Sequence, residues 1–120
     1  MAAIVSVNSP ISVELQCVPA IHLARSLRFY LALGCEVHRS GDGWVRLRNA
    51  GTVFVLVHGG PGAGPGIVVP ELSTGNLLRL CCRLWMAGID TSPISYPGGA
   101  PGGRITTHDP DRYPVAISQA

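Results

Sequence analysis

Two short runs hold side chains suited to recognising a ligand. Trp44 and Arg46 stand two positions apart in WVRLRN, so on an extended strand they share a face. An indole beside a guanidinium offers a stacking surface with a fixed positive charge. That suits a flat aromatic ligand or one with an anionic group. The run RITTH places Arg104, Thr106 and His108 on one face by the same alternation. Histidines 38, 58 and 108 are of the right type to hold zinc or act as a base, since imidazole titrates near neutrality. Yet His58 shares strand parity with Phe54 and His22 opens a helix, so the histidines read as structural. Ser26 and Ser118 lack a His/Asp partner pattern or a nucleophile elbow. Cys17, Cys35, Cys81 and Cys82 include a vicinal pair but no CxxC spacing, which reads as reduced thiols rather than a zinc knuckle or redox motif. No catalytic residue, metal ligand or cofactor is assigned.

Composition narrows the classes further. The 120 residues are 47% apolar and only 13% charged, which excludes a disordered chain. All nine basic residues are arginine, so mechanisms that need a Schiff-base or Walker lysine are excluded. A net charge of +2 with no basic run argues against nucleic acid. The most apolar stretch, residues 77–89, is interrupted by Arg79 and Arg83 and is too short to span a bilayer. The start, MAAIVSVNSP, has no positively charged segment of a secretory signal, and a cytoplasmic protein is expected.

The elements that position these residues fall into two echoing halves. Residues 13–18 read as a strand. A helix follows, with Leu23, Leu27, Tyr30 and Leu31 on one face and Gly34 as its stop. Strands are expected at 35–39, 44–48 and 52–58, separated by GDG and NAG turns. After the connector GGPGAGPG (59–66), IVVPEL reads as an edge strand, and Ser73 or Thr74 as the cap of a helix ending at Gly88. A shift of about 54 residues superposes Leu23 on Leu77, Gly34 on Gly88 and Cys35 on Ile89. Strands at 104–108 and 114–118, joined by DPDRY, complete a second β-α-β-β-β unit. The expected architecture is therefore α+β: one domain over 1–120, built of modules at about 12–58 and 66–119. One helix covers the outer face of each module, and the mixed sheet is cupped. A helix covers only one face of its sheet, so the other is left for a ligand.

Three stretches carry a family resemblance. VPAIHLARSLRFYLALGCEV (18–37) resembles the opening of the glyoxalase/bleomycin-resistance superfamily, the vicinal oxygen chelate fold, with its Ser-hydrophobic-x-Phe-Tyr helix and Leu-Gly stop. GWVRLRNAGTVFVLV (43–57) is similar to its central hairpin, and HDPDRYPVAI (108–117) to its closing DPDGN turn and last strand. Members with metal chemistry carry four His or Glu ligands. The resemblance places those positions at Leu15, Val55, about Val69 and Ala116, none of which can bind a metal. Glu14 would supply only one carboxylate. His22 stands where the family has Asp, and Arg112 where it has Gly.

What the resemblance implies is the metal-free branch, whose members resemble the bleomycin resistance protein and act by binding. The expected function is sequestration of an antibiotic or an aromatic or hydrophobic metabolite. The alternative is an enzyme of the same fold, lyase-, isomerase- or dioxygenase-like, with an unrecognised site. The expected ligand-binding residues are Trp44, Arg46, Val55, Tyr96, Arg104, Thr106 and His108. Val53 and Val57 add to an apolar floor, and Tyr96 folds over the mouth beside the loop at 97–103. A homodimer is also expected, because Leu78, Cys82 and Trp85 form a second apolar stripe beside Leu77, Leu80, Cys81 and Leu84.

Overall fold

A computed structural model describes residues 16–59 and 69–120. The expected positions Glu14 and Leu15, and most of the glycine-proline connector, lie outside the described residues. The first module runs β1 (Gln16–Ala20), α1 (Leu23–Ala32), β2 (Glu36–Gly41), β3 (Trp44–Asn49) and β4 (Thr52–His58). Its sheet has the order β1-β4-β3-β2, with β1 parallel to β4 and the other pairs antiparallel. The second module runs β5 (Leu72–Thr74), α2 (Leu77–Met86), β6 (Arg104–His108) and β7 (Pro114–Gln119), in a sheet ordered β5-β7-β6. In each sheet a helix crosses over between parallel strands, as that connection requires.

The repeat read from the sequence holds through the helices. They begin at Leu23 and Leu77, and each is followed by a glycine in the left-handed region, Gly34 at φ 102° and Gly88 at φ 78°. It breaks after Gly88. Where the first module has β2, the second has only an isolated bridge between Ser95 and Arg104. Pro93 and Pro97 have no N–H to give a ladder, so a continuous strand cannot pair along this stretch. A side chain partly substitutes: the Ser92 amide donates to the Thr106 carbonyl at 2.8 Å, and the Thr106 amide donates to Ser92 Oγ at 2.9 Å.

Three local expectations are corrected. The strand expected over IVVPEL begins instead at Leu72, because Pro70 cannot donate to a ladder, and Val69 is buried in the core. Ser73 and Thr74 belong to β5; the cap of α2 is Asn76, whose side chain accepts the Arg79 amide at 3.0 Å. In α1 the buried stripe turns toward Phe29 and Tyr30, while Leu31 is exposed. The reason is aromatic packing: Tyr30 meets Phe29 and Phe54 edge-on, with centroids 5.0 and 5.3 Å away.

A single contiguous core joins the modules. It contains Phe29, Tyr30 and Leu33 of the first helix region, Leu47, Phe54 and Leu56 of the first sheet, and Leu77, Leu80, Leu84, Ile105, Val115 and Ile117 of the second module. Polar bonds fasten the same junction. Asn49 exchanges two hydrogen bonds with the Ser73 backbone, Arg83 donates to the Ala32 carbonyl, and the Tyr30 hydroxyl donates to Asp109 at 2.8 Å.

The turn after Asp109 forms despite Arg112. Arg112 adopts φ 71°, a region that disfavours side chains with a Cβ, and its amide reaches the Asp109 carbonyl at 2.8 Å. Arg112→Gly should therefore raise stability by up to about 1 kcal/mol, read as a higher urea midpoint at unchanged slope. A lower midpoint would mean that the arginine side chain contributes more than its backbone strain costs.

Candidate functional site

Strand alternation divides each sheet into a face against the core and a face left open. In the first sheet Val45, Leu47, Phe54 and Leu56 are buried, while Trp44, Arg46, Val53, Val55 and Val57 are half-buried on the opposite side. The register sets the neighbours: Trp44 opposes Val57, Arg46 opposes Val55 and Arg48 opposes Val53. On the parallel side Cys17 stands next to Val55 and Pro19 next to Val57. Three valines therefore form a floor, with an indole and guanidinium groups along one side.

The indole lies over Gly41, its partner on β2. A methyl group at position 41 would collide with the indole nitrogen and the adjoining ring carbons. The absence of a side chain at Gly41 is what lets the ring settle onto the strand. Farther along β2 the pairing slips: Val37 opposes Leu47, yet Arg39, not His38, opposes Arg46. This bulge turns Arg39 onto the open face beside Arg46. Glu36, at the end of the same row, pairs with Arg48 at 3.5 Å.

The second sheet repeats the division. Ile105, Thr107, Val115 and Ile117 are buried, and Arg104, Thr106, His108, Ala116 and Ser118 lie on the other face. The sequence reading missed Glu71. Its carboxylate accepts from Ser118 Oγ and from Arg104 at 3.4 Å, so it belongs to this open face. Pro70 was the available signal, since it delays the strand and leaves Glu71, not Val69, next to the face.

Six of the seven expected residues thus fall into two groups on open faces. Trp44, Arg46 and Val55 lie on the first sheet; Arg104, Thr106 and His108 lie on the second. The two sheets share no strand pair among the described residues. Tyr96 is placed apart. It is largely exposed, and its ring edge approaches Gly103 on the side of Leu77 and Ile94, not over the open face.

The described residues at the expected ligand positions offer no donor to a metal. Val55 and Ala116 stand on open faces and offer no donor, and Val69 is in the core. Among the described residues no three His, Cys, Asp or Glu side chains come together. His22, His38, His58 and His108 are exposed and scattered at a helix start, a bulge and two strand ends. A groove of about 430 Å³ does form at the module junction, lined by residues such as Asn49, Ser73, Asn76, Arg79 and Arg83. None of the seven expected residues lines it. Several of its polar groups are already committed to joining the modules or capping α2. The open faces, which neither described helix covers, are therefore the better ligand surface.

No family model matches the chain, and no curated protein sequence does. Solved structures do. The fold is similar to that of a bleomycin resistance determinant encoded on the transposon Tn5, at TM-score 0.67 and 17% identity over 88% of this chain and 95% of that one. It is similar to TnmS3, an antibiotic binding protein from Streptomyces, at TM-score 0.66 and 22% identity over 88% and 94% of the two chains. The fosfomycin resistance protein FosX from Mesorhizobium loti matches at TM-score 0.67 and 13% identity over 90% and 91%.

Proposed function

The chain has the vicinal oxygen chelate fold of the glyoxalase, bleomycin-resistance and dioxygenase superfamily, and we propose that it binds a small aromatic or hydrophobic molecule without a metal. The reading rests above all on the open face of the first sheet, where Trp44 and three half-buried valines stand opposite the core and neither described helix covers them. Uncovered apolar surface of this kind calls for a ligand or a second subunit. Structural neighbours that bind or resist antibiotics support sequestration of a drug-like compound. Among the described residues no helix is long and apolar enough to cross a membrane. Cys35 and Cys81 are buried thiols, which suits the reducing cytoplasm proposed for its place of action.

The test is a thermal-shift screen of aromatic antibiotics and metabolites on protein whose metal content has been measured. A true ligand raises the melting temperature with concentration over Kd. Trp44→Ala should weaken binding by about 1–3 kcal/mol, as loss of an aromatic anchor does, and leave the fold intact. Stoichiometric zinc, nickel, iron or manganese that is needed for the shift would overturn the metal-free reading.

We infer a homodimer as well. Leu78, Trp85 and Met86 are exposed along α2, at 63%, 52% and 89%, although Trp85 Nε1 donates to Thr91 Oγ1. That stripe is apolar surface beyond what its own sheet can take. Light scattering at high micromolar concentration should give twice the chain mass; a strictly monomeric mass removes the dimer.

A further inference from the structure

We propose that the ligand of the first open face is an aromatic organic anion, its acid group held between Arg39 and Arg46 while its ring lies on Trp44. This deepens the preceding reading and rests on it. Arg39 and Arg46 are register partners across β2 and β3, so two like charges stand directly opposite on one face. Such a pair is destabilising unless something neutralises it. The other arginines on the open faces have acids: Arg48 pairs with Glu36 at 3.5 Å and Arg104 with Glu71 at 3.4 Å. Among the described residues no carboxylate pairs with Arg39 or Arg46. Arg46 Nε is moreover buried with no hydrogen-bond acceptor among the described residues, and an incoming acid group is one partner that would satisfy it.

The chemistry of the acceptor follows from the donor. A guanidinium offers parallel N–H groups that match a carboxylate, sulfonate or phosphonate edge, and two of them can share one acid. Trp44 and Arg46 share a face two residues apart, which sets ring and acid about 7 Å from each other. A bicyclic aryl acid spans that distance. Val55, the partner of Arg46, and Val57, the partner of Trp44, flank it with apolar surface. A cationic ring system of equal size would bring a third positive charge to an uncompensated pair.

The probes are 2-naphthalenesulfonate and 2-naphthylmethylammonium, the same ring with opposite charge. Each is titrated by calorimetry and tryptophan fluorescence into wild type, Arg39→Gln, Arg46→Gln and Trp44→Ala. Arg39 is exposed on the edge strand, so its variant keeps the fold, and thermal unfolding checks all three. The sulfonate should bind at least about tenfold more tightly than the ammonium, and Arg46→Gln or Arg39→Gln should bring the two within about threefold. Added salt should weaken only the sulfonate. If the ammonium binds as tightly as the sulfonate and Trp44→Ala abolishes both, the anion proposal fails while the ligand face stands. If neither probe binds, or both bind Trp44→Ala unchanged, the ligand face itself is wrong and the proposal falls with it.

Discussion

Stability should drop steeply once the pH rises above about 9, and by pH 11 the protein should be about 4 kcal/mol less stable than at pH 8. Two buried groups cause this. Burial pushes the Cys35 thiol from its ordinary 9.0 up to about 12. Burial, and then the neighbouring Asp109 carboxylate, pushes the Tyr30 phenol far above its usual range. In the folded protein both keep their protons past the pH at which the unfolded chain releases them. The stability contributed by the raised values is thus whole below about pH 9 and is lost as the pH climbs toward the folded values. Each group steepens the loss by about 1.4 kcal/mol per pH unit, Cys35 from about pH 9 and Tyr30 from about pH 10. Burial raises the Cys81 thiol as well, which acts in the same sense. Urea unfolding from pH 7 to 11 measures the slope. Cys35→Ala should flatten the segment between about pH 9 and 10, and a wild-type curve level to pH 11 would show that these groups are not desolvated.

Asp109→Ala should cost about 3–5 kcal/mol, several times the effect of an ordinary surface change. Asp109 is 4% exposed, and its carboxylate serves three donors: the Tyr30 hydroxyl at 2.8 Å and the Asp111 and Tyr113 amides at 2.9 Å each. The amide bonds build the turn between β6 and β7, while the tyrosine bond ties that turn to α1 in the other module. Alanine leaves the hydroxyl and both amides without that acceptor. Tyr30→Phe removes only the bond between modules and should cost about 1–2 kcal/mol. In a double-mutant cycle the two losses should fall short of additive, because they share one bond. A melting temperature lowered by about 10–20 °C in Asp109→Ala is the expected reading. A loss under about 1 kcal/mol would mean that solvent replaces the carboxylate, and that the modules are held by apolar packing alone.

The parts of this molecule legible in sequence are those with short-range causes. Alternation over Trp44–Asn49 and Thr52–His58, bounded by glycine turns, gave both strands and both faces, because a buried face forces period two. The two helices and the glycines that stop them, Gly34 and Gly88, followed from the repeat, though the cap of the second lies two or three residues beyond the expected Ser73 or Thr74. What stayed hidden depends on distant partners or on register. Tyr30 and Asp109 are 79 positions apart, and nothing local announces their bond. Arg39 reaches the open face only through the bulge after Val37; uninterrupted alternation from Glu36 turns it the other way. In the second module the repeat alignment set Ile89 on Cys35 and hid the effect of Pro93 and Pro97, which reduce a strand to one bridge. The register around Pro70 likewise exchanged Val69 for Glu71 on the second open face.

The central claim is that a small aromatic ligand binds the open face of the first sheet, and a single-tryptophan titration tests it most directly. The chain has two tryptophans, and Trp85 lies on α2 away from that face. In Trp85→Phe, which leaves Trp44 as the sole indole, the tightest ligand from the screen should quench or shift the emission. That signal should saturate at the dissociation constant found by calorimetry for wild type. A Trp44 emission unchanged at saturating ligand, with Trp44→Ala binding as tightly as wild type, would contradict the account.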